Sequence, residues 1–345
     1  MKWKIYIPDG VQDLLMEDAY MKRKLENTMI TTFRHCGFRE IVTPSLEFFD
    51  SFSGQKELLA QEDMAKSFDA QGRILVLKPD LTVPVARVAA TKYKDVRPLK
   101  VCYCQSVFRN SKDRYLDLKE FTQAGCEIIG RGDIKADGEI IATAVSSLEA
   151  AGLADFTIEL GQVNYFKGLM AACKCSAEDR ENIRLLVNKK DFCGLANLVD
   201  ALNITGDLRK AIVDLPYLYG DVTVLDRITG LDIGDMALAA IDNIKALLAE
   251  LAERNCSHRI AIDLGLVSSL HYYTGLIFCG YVPGMGVPIL TGGRYDSLVE
   301  KFGSPDKATG FSVNISYLME VLQKDGMPAM YQETEAKEIT EEEAK

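Results

Sequence analysis

The sequence lacks the long apolar runs that membrane insertion and secretion require. Of its 345 residues 48% are hydrophobic, yet no unbroken apolar stretch is long enough to span a bilayer. The first residues, Met1 to Asp9, contain no apolar segment of a secretory signal. We therefore expect the hydrophobic residues to build the core of a globular protein, with no membrane partner.

Cysteine pairs of the kind that hold structural zinc are also missing. Nine cysteines are present, and the closest pairs, Cys102 with Cys104 and Cys173 with Cys175, are two residues apart rather than in a CxxC arrangement. Cysteines with neither a secretory signal nor a framework spacing are typical of reduced thiols. The sequence thus predicts a cytoplasmic protein with no metal site and no cofactor.

An excess of positive charge is absent as well, because 50 Asp and Glu outnumber 40 Lys and Arg. The net charge is −10 and the sequence pI is about 5.0. The nearest approach to a basic run, Lys92 to Lys100, has only four basic residues and favours a solvated loop. This balance argues against a protein whose main role is to hold a phosphate backbone. No glycine-rich phosphate loop is present either.

The chain is long enough for about two domains. Residues 164–255 have helical periodicity almost throughout, whereas the parts on either side alternate between strands and helices. We predict an α+β core from residues 1–163 and 256–323, interrupted by a helical segment at 164–255. Residues 324–345 are expected to form an acidic, solvated tail.

Several elements can be placed in the first half of the core. A helix is expected from Glu17 to His35, ended by Gly37, with a strand from Phe38 to Pro44. A hairpin follows in residues 64–77, and a helix from Val85 to about Tyr93.

Two further strands, Leu99 to Phe108 and Glu120 to Ile129, are separated by a charged loop. Because side chains alternate along a strand, Arg109, Gln123 and Glu127 are expected to point into one pocket. Arginine suits a carboxylate, and a glutamate suits a cationic ammonium or imidazolium group. These groups predict a site for a small zwitterion.

The second half of the core is organised around residues 260–318. Strands are predicted at Ile260 to Leu264, Leu276 to Val282, Val287 to Leu290 and Phe311 to Ile315. Around them lie the sequences LHYYTG, at 270–275, and LTGGRYD, at 290–296, in which the glycine pair permits close backbone approach. Tyrosines beside glycines indicate a small-molecule pocket, although such a pair also serves as core material.

The order of these motifs resembles the core of the histidyl-tRNA synthetases, which are class II aminoacyl-tRNA synthetases. Residues 17–47, 99–129 and 310–322 are similar to motifs 1, 2 and 3. The resemblance implies an α+β fold, a class II synthetase-like antiparallel sheet flanked by helices, with the helical segment as an inserted domain. It also implies a homodimer formed through motif 1.

The same resemblance implies a histidine pocket. The tyrosine pair belongs to the family's histidine motif, and Asp80 and Thr82 stand where an acidic residue and a threonine hold the amino group. The histidine-binding candidates are Asp80, Thr82, Arg109, Gln123, Glu127, Tyr272 and Tyr273. Asp80 replaces the usual glutamate and is one carbon shorter; alternatively, it is an acidic residue favoured at a helix N-terminus.

Three positions that the synthetases use for chemistry carry other residues here. Ser111 replaces a motif 2 glutamate, Ser268 the catalytic arginine, and Tyr317 the arginine that binds the ATP phosphate. Losing one preorganised donor costs ~2.7–4 kcal/mol, so two missing arginines would slow adenylation by roughly 10⁴ to 10⁶ if the effects were additive. The anticodon-binding domain is also expected to be missing, and no catalytic residue is predicted.

One branch of the family is similar in all these respects, the regulatory subunits of ATP phosphoribosyltransferase. The resemblance implies a non-catalytic protein required by the short-form catalytic subunit in the first step of histidine biosynthesis. It further implies a hetero-oligomer, a hetero-octamer in the family, with allosteric feedback by histidine and no tRNA partner. Histidine has two candidate sites, the synthetase-like pocket and the subunit interface.

Two alternatives remain at the level of the sequence. One is a stand-alone amino-acid-activating ligase that uses a shifted arginine. The other is a structural partner whose pocket is inactive.

Overall fold

The computed structural model describes residues 6–53, 60–110, 115–267 and 273–324. Within these ranges no helix combines the length and the apolar character needed to cross a membrane.

A nine-stranded sheet forms the centre of the molecule, and a three-stranded sheet lies beside it. The strands are β1 (Arg39–Glu40), β2 (Leu46–Phe48), β3 (Lys66–Phe68), β4 (Ile74–Leu77), β5 (Leu99–Phe108), β6 (Glu120–Ile129), β7 (Thr157–Gln162), β8 (Tyr219–Gly220), β9 (Ile260–Asp263), β10 (Leu276–Tyr281), β11 (Leu290–Arg294) and β12 (Ala308–Asn314). The order in the large sheet is β1-β5-β6-β12-β11-β10-β7-β9-β8, and in the small sheet β2-β4-β3.

The predicted α+β class, a synthetase-like sheet flanked by helices, is confirmed. The sheet is mixed rather than wholly antiparallel, because β1 pairs with β5 and β7 pairs with β9 in parallel. Both parallel pairs lie towards the ends of the strand order, and the strands between β5 and β7 are antiparallel throughout.

The helices that begin at Thr82 and Asp296 pack on one face of the large sheet, and several other helices cover the opposite face. The helices are α1 (Met16–His35), α2 (Asp50–Ser53), α3 (Thr82–Thr91), α4 (Ile134–Ala150), α5 (Val163–Cys173), α6 (Ala177–Asn188), α7 (Phe192–Ala201), α8 (Gly206–Asp214), α9 (Asp235–Glu253), α10 (Asp296–Glu300) and α11 (Ile315–Lys324). Phe33 of α1, Ile140 of α4 and Leu318 of α11 pack there against strand residues such as Phe311. A second cluster of buried side chains joins α5 to α9.

The first helix follows its sequence pattern closely. Its buried side chains have helical spacing, and Gly37 has a φ of +85° just after its end. The Gly37 N–H donates to Arg34 O over 2.9 Å, and the Phe38 N–H donates to Phe33 O over 3.0 Å. This is the Schellman pattern that a glycine permits, because its left-handed conformation carries no Cβ penalty.

The strand predicted from Phe38 to Pro44 is wrong in extent, because only Arg39 and Glu40 are strand residues. Beyond Glu40 the Gln105 side chain, rather than another strand, forms hydrogen bonds with the backbone of Ile41 and Thr43. The Gln105 amide donates to Ile41 O over 3.1 Å and accepts from the Thr43 N–H over 3.2 Å. The backbone groups are thus satisfied without a strand ladder.

Other boundaries differ as well: the helix predicted from Val85 to about Tyr93 is Thr82–Thr91, and the strand predicted from Phe311 to Ile315 is Ala308–Asn314. The strand predicted at Val287 to Leu290 runs instead from Leu290 to Arg294. Its glycines fit between β10 and β12, where a Cβ on Gly292 would lie 2.4 Å from the Phe278 ring. Within the predicted helical segment, Val222–Ile228 is a 3₁₀ helix that begins where Asp221 accepts from the Thr223 N–H, and Tyr219–Gly220 is a strand.

Candidate functional site

The carboxyl group of Glu127 lies at the centre of the candidate site. Glu127 is on β6 and is 1% exposed. Its Oε1 accepts hydrogen bonds from Thr82 Oγ1 at 3.1 Å and from Tyr103 Oη at 3.0 Å, and its Oε2 accepts from Tyr295 Oη at 2.6 Å. Three hydroxyl groups from α3, β5 and the end of β11 therefore converge on one buried carboxyl.

Burial raises the pKa of Glu127 to about 7. The three hydroxyl donors oppose this rise because they stabilise the charged form, whereas nearby Asp80 adds to it. A carboxyl with this pKa exchanges its proton near neutrality, in the range where an imidazole also titrates.

Missing side chains make room for this arrangement. Gly310 on β12 lies opposite Glu127, and a Cβ there would lie 1.5 Å from Glu127 Oε2. Gly125 on β6 lies opposite Tyr103, and a Cβ there would lie 2.7 Å from Tyr103 Oη. The two glycines are therefore required by close contact with the carboxyl and with one of its donors.

Asp80 and Arg109 lie beside this centre. The Asp80 carboxylate accepts from the Val83 N–H over 3.0 Å, at the start of α3, so the helix-terminal role expected for an acidic residue is realised. Burial raises the pKa of Asp80, and the positive charge of Arg109 opposes the rise. The Arg109 guanidinium donates to Pro79 O and lies 5.5 Å from the centre of the Phe121 ring.

Of the remaining candidates, the structure describes Gln123 and Tyr273. Gln123 lies two strand positions before Gly125 on the same face, is 8% exposed, and its Oε1 has no hydrogen-bond partner in the described part of the chain. Tyr273 is buried, and its ring lies 2.7 Å from where a Cβ on Gly293 would be. Tyr272 lies outside the described residues.

Thr82 thus contacts Glu127 directly, Asp80 lies close enough to raise its pKa, and Arg109 lies beside Asp80. Two hydroxyl donors, Tyr103 and Tyr295, belong to the same centre and were not among the sequence candidates. Tyr295 is part of the GGRYD motif. Tyr103 lies at an alternate position of β5 that faces the pocket, but its contact with Glu127 depends on the register between β5 and β6.

A short segment connects this centre to the small sheet. The Lys78 N–H donates to Ser45 O over 2.9 Å, and Lys78 Nζ donates to Thr43 O at 3.1 Å and to Gln105 Oε1 at 2.6 Å. Burial lowers the pKa of Lys78 to about 8. Next along the chain, Pro79 accepts from Arg109. Three consecutive residues, 78–80, therefore contact both the motif 1 region and the candidate pocket.

The three positions that the synthetases use for nucleotide chemistry are Ser111, Ser268 and Tyr317 in this chain. Ser111 and Ser268 lie outside the described residues. Tyr317 packs edge-to-face on Tyr115, with ring centres 6.2 Å apart. Asn314 Oδ1 accepts from the N–H groups of Ser316 and Tyr317 at 3.0 and 3.2 Å, so the start of α11 is capped by the chain's own side chain.

The chemistry available at this site is recognition. The carboxyl of Glu127 can bind a nitrogen group, and the Arg109 guanidinium lies close enough to Asp80 to influence its titration. No group of three or more His, Cys, Asp or Glu side chains suited to a metal ion occurs within the described ranges.

Comparison with known proteins gives a consistent set of similarities. A family model described as histidyl-tRNA synthetase matches residues 10–318. An ATP phosphoribosyltransferase regulatory subunit of Acetivibrio thermocellus is 46% identical over 94% of this chain and 78% of the relative. A regulatory subunit of the same name from Clostridium botulinum strain Langeland is 37% identical over 95% of this chain and 78% of the relative.

Solved structures agree. The crystal structure of an ATP phosphoribosyltransferase regulatory subunit/histidyl-tRNA synthetase from Bacillus halodurans C is similar with a TM-score of 0.86 and 33% identity, covering 93% of this chain and 84% of that one. A histidyl-tRNA synthetase from Nostoc has a TM-score of 0.79 at 20% identity, over 95% of this chain and 77% of that one. The second likeness concerns the fold alone.

Proposed function

This chain belongs to the histidyl-tRNA synthetase family, among its ATP phosphoribosyltransferase regulatory subunits, and we propose that histidine bound beside Glu127 is the signal it passes to the catalytic subunit. It is a regulatory subunit in histidine biosynthesis and does not itself catalyse phosphoribosyl transfer. The observation that carries the proposal is the buried Glu127 carboxyl, held by three hydroxyl groups.

In the proposed pose each polar group of histidine has its own partner in the pocket. The imidazole ring of histidine lies against Glu127, which shares a proton with it. Arg109 turns from Pro79 O to the ligand carboxylate, with which a guanidinium forms strong paired hydrogen bonds. Gln123 Oε1, which is unpaired in the described part of the chain, accepts from the ligand's ammonium group.

The partner is proposed to be a short-form catalytic subunit that depends on this chain for activity. Coupling between histidine on one chain and substrate on the other is expected to be about 1 to 3 kcal/mol, the usual range for allosteric effects. The two chains would form a hetero-oligomer without tRNA. We place this assembly in the cytoplasm, because all nine cysteines are free thiols.

The decisive experiment measures phosphoribosyl-ATP formation by the catalytic subunit alone, with this chain, and with this chain plus histidine. Activity that requires the mixture and falls with histidine supports the proposal. Equal activity of the catalytic subunit alone would remove the basis for an activating role.

A matched variant locates the histidine. Calorimetric titration of Arg109→Ala should show histidine affinity reduced at least tenfold, because the ligand carboxylate loses its cation. Arg209→Ala, at a partly exposed position on α8, serves as the control and should bind as the parent does. If Arg109→Ala binds with unchanged affinity while feedback persists, histidine binds elsewhere, for example between the two chains.

The homodimer is proposed to form through motif 1, with the outward face of the small sheet, where that motif ends, as part of the surface. Leu46 is 49% exposed and Phe48 is 44% exposed, and half-buried Leu75 and Leu77 lie on the same face. Contiguous exposed apolar side chains are typical of an interaction surface. The helical segment 164–255 is proposed to be an insertion in the core of each protomer, and its buried cluster also includes Ile262 and Leu264 of the core.

Sedimentation analysis tests this interface. Leu46→Asp should shift the chain from dimer to monomer, because a charge would then be buried without a partner. Leu238→Asp, which alters a similarly exposed leucine on α9, should remain dimeric. A Leu46→Asp protein that stays dimeric would place the interface elsewhere.

A further inference from the structure

A separate cavity of about 280 Å³ lies on the side of the large sheet that α4 covers. Its walls come from α4, α5 and α9 and from the ends of β7, β10 and β11. A volume of this size is close to the lower end of the range for small-molecule pockets.

This cavity is distinct from the Glu127 site, although the same two stretches of chain contribute to both. Thr274 lines the cavity, whereas the preceding Tyr273 packs on the other side of the sheet. Likewise Arg294 lines the cavity, whereas Tyr295 reaches Glu127. Neighbouring residues of an extended chain point to opposite faces, so the two sites lie back to back.

The charges on the cavity wall cancel. Arg294 and Asp137 are the only charged residues among those that line it in the described part of the chain. Their side chains pair with each other, with Arg294 to Asp137 distances of 2.8 and 3.2 Å, and Arg294 also contacts Asp296 at 3.2 Å. A charged ligand would gain no net attraction and would lose its hydration.

Three carboxamide side chains supply the polar contacts. Gln162 donates to Asn243 Oδ1 over 2.9 Å and accepts from the Asn164 N–H over 3.3 Å. Asn164 Nδ2 donates to Thr274 O over 3.2 Å. These bonds hold the amides in place and leave Asn243 Nδ2 and Asn164 Oδ1 without a hydrogen-bond partner in the described ranges.

One free donor and one free acceptor therefore border a space whose wall is apolar in part, beside the paired Arg294 and Asp137. Ile134, Met236 and Leu276 provide apolar surface on the cavity wall. A donor beside an acceptor complements an amide edge, in which a carbonyl oxygen stands next to an N–H group. Apolar surface suits the faces of a flat ring.

We propose that this cavity binds a small, uncharged, planar molecule with an amide-type edge, of the carboxamide or nucleobase class. The ligand's carbonyl accepts from Asn243 Nδ2, and its N–H donates to Asn164 Oδ1. This inference does not depend on histidine binding at Glu127.

Nicotinamide and nicotinate form a matched pair of probes, because they have the same shape and differ in charge and in the amide group. Ligand-observed NMR titration should give a dissociation constant on the order of 1 mM for nicotinamide, as expected for so small a ligand. Nicotinate should bind at least tenfold more weakly. Equal binding of the two probes, or no nicotinamide binding at 10 mM, would overturn the proposal.

Two variants locate the probe. Asn243→Leu removes the donor and should weaken nicotinamide at least tenfold, whereas Asp242→Asn, on the exposed side of the same helix, should bind as the parent does. Ala239→Phe places a ring at the exposed rim of the cavity and should also block binding. Thermal unfolding of each variant shows whether it is folded.

Glu127→Gln separates this inference from the proposed histidine site. Nicotinamide binding should persist in that variant. Its loss there, or unchanged affinity in folded Asn243→Leu, would show that the probe lies in another pocket and that the proposal is wrong.

Discussion

Tyr295 donates a hydrogen bond of 2.6 Å from its hydroxyl group to Glu127 Oε2. The two residues are 168 positions apart in sequence, and the bond joins the GGRYD motif to the second half of β6. It connects the two motifs that the sequence singled out for different reasons. The consequences of a buried carboxyl held in this way can be measured.

Histidine binding should depend on pH with a single maximum. The pKa of Glu127 is about 7 and that of a free imidazole is about 6.5, so the pair holds one shared proton best between these values. Below this range both groups are protonated, and above it neither is. Calorimetric titrations from pH 5 to 9 should therefore show the tightest binding near pH 6.5 to 7.

Glu127→Gln is the matched variant for this profile. It cannot ionise, so its affinity should be lower and should follow the titration of the ligand alone. A parent protein whose affinity is constant from pH 5 to 9 would contradict the assignment of the imidazole to Glu127.

The free energy of unfolding should also depend on pH through the ionisation of Glu127. The pKa of Glu127 rises from 4.5 in the unfolded chain to about 7 in the folded one, so the folded state binds more protons between these values. The contribution of this group to the free energy of unfolding therefore falls by about 3 kcal/mol as the pH rises from 4.5 to 7. Glu127→Gln lacks this term.

Urea unfolding at several pH values measures the difference. The gap in stability between Glu127→Gln and the parent should change in favour of the variant as the pH rises. Glu178→Gln, an exposed change on α6, should run parallel to the parent. Parallel curves for Glu127→Gln would mean that Glu127 titrates normally.

Gly310→Ala should be strongly destabilising. The added Cβ would lie 1.5 Å from Glu127 Oε2 and 2.6 Å from the backbone oxygen of Cys126. We expect a loss of at least about 3 kcal/mol in the free energy of unfolding, as for severe overpacking. Gly286→Ala is the control, because no atom lies within 4 Å of its Cβ position, and it should change stability by less than about 0.5 kcal/mol.

Asp137→Ala tests the ion pair that holds the end of β11. Arg294 and Asp137 are 7% and 4% exposed, so the variant leaves a buried guanidinium without its main partner. Breaking such a pair costs about 3 to 5 kcal/mol. Asp200→Ala, which breaks an exposed pair with Arg209, should leave the urea midpoint unchanged. Equal effects of the two variants would contradict a structural role for the buried pair.

The sequence predicted β5 and β6 to the residue, because both strands are long and a charged loop separates them. It also identified Glu127 and Thr82, which the structure joins by a hydrogen bond. The shortened β1 could not be predicted, since it depends on the Gln105 side chain 62 residues beyond Thr43. Tyr103 was missed for a similar reason: its contact with Glu127 requires the strand register and the space above Gly125.

Residues 78–80 tie the small sheet to the pocket at both ends. Any movement of Arg109 towards a ligand releases Pro79 O, and the next backbone group, on Lys78, is bonded to Ser45, one residue before the proposed dimer surface. In a homodimer these hydrogen bonds would connect the two pockets through the proposed dimer surface. Occupancy of one pocket would then alter the affinity of the other, and the response to ligand concentration would depart from a simple hyperbola.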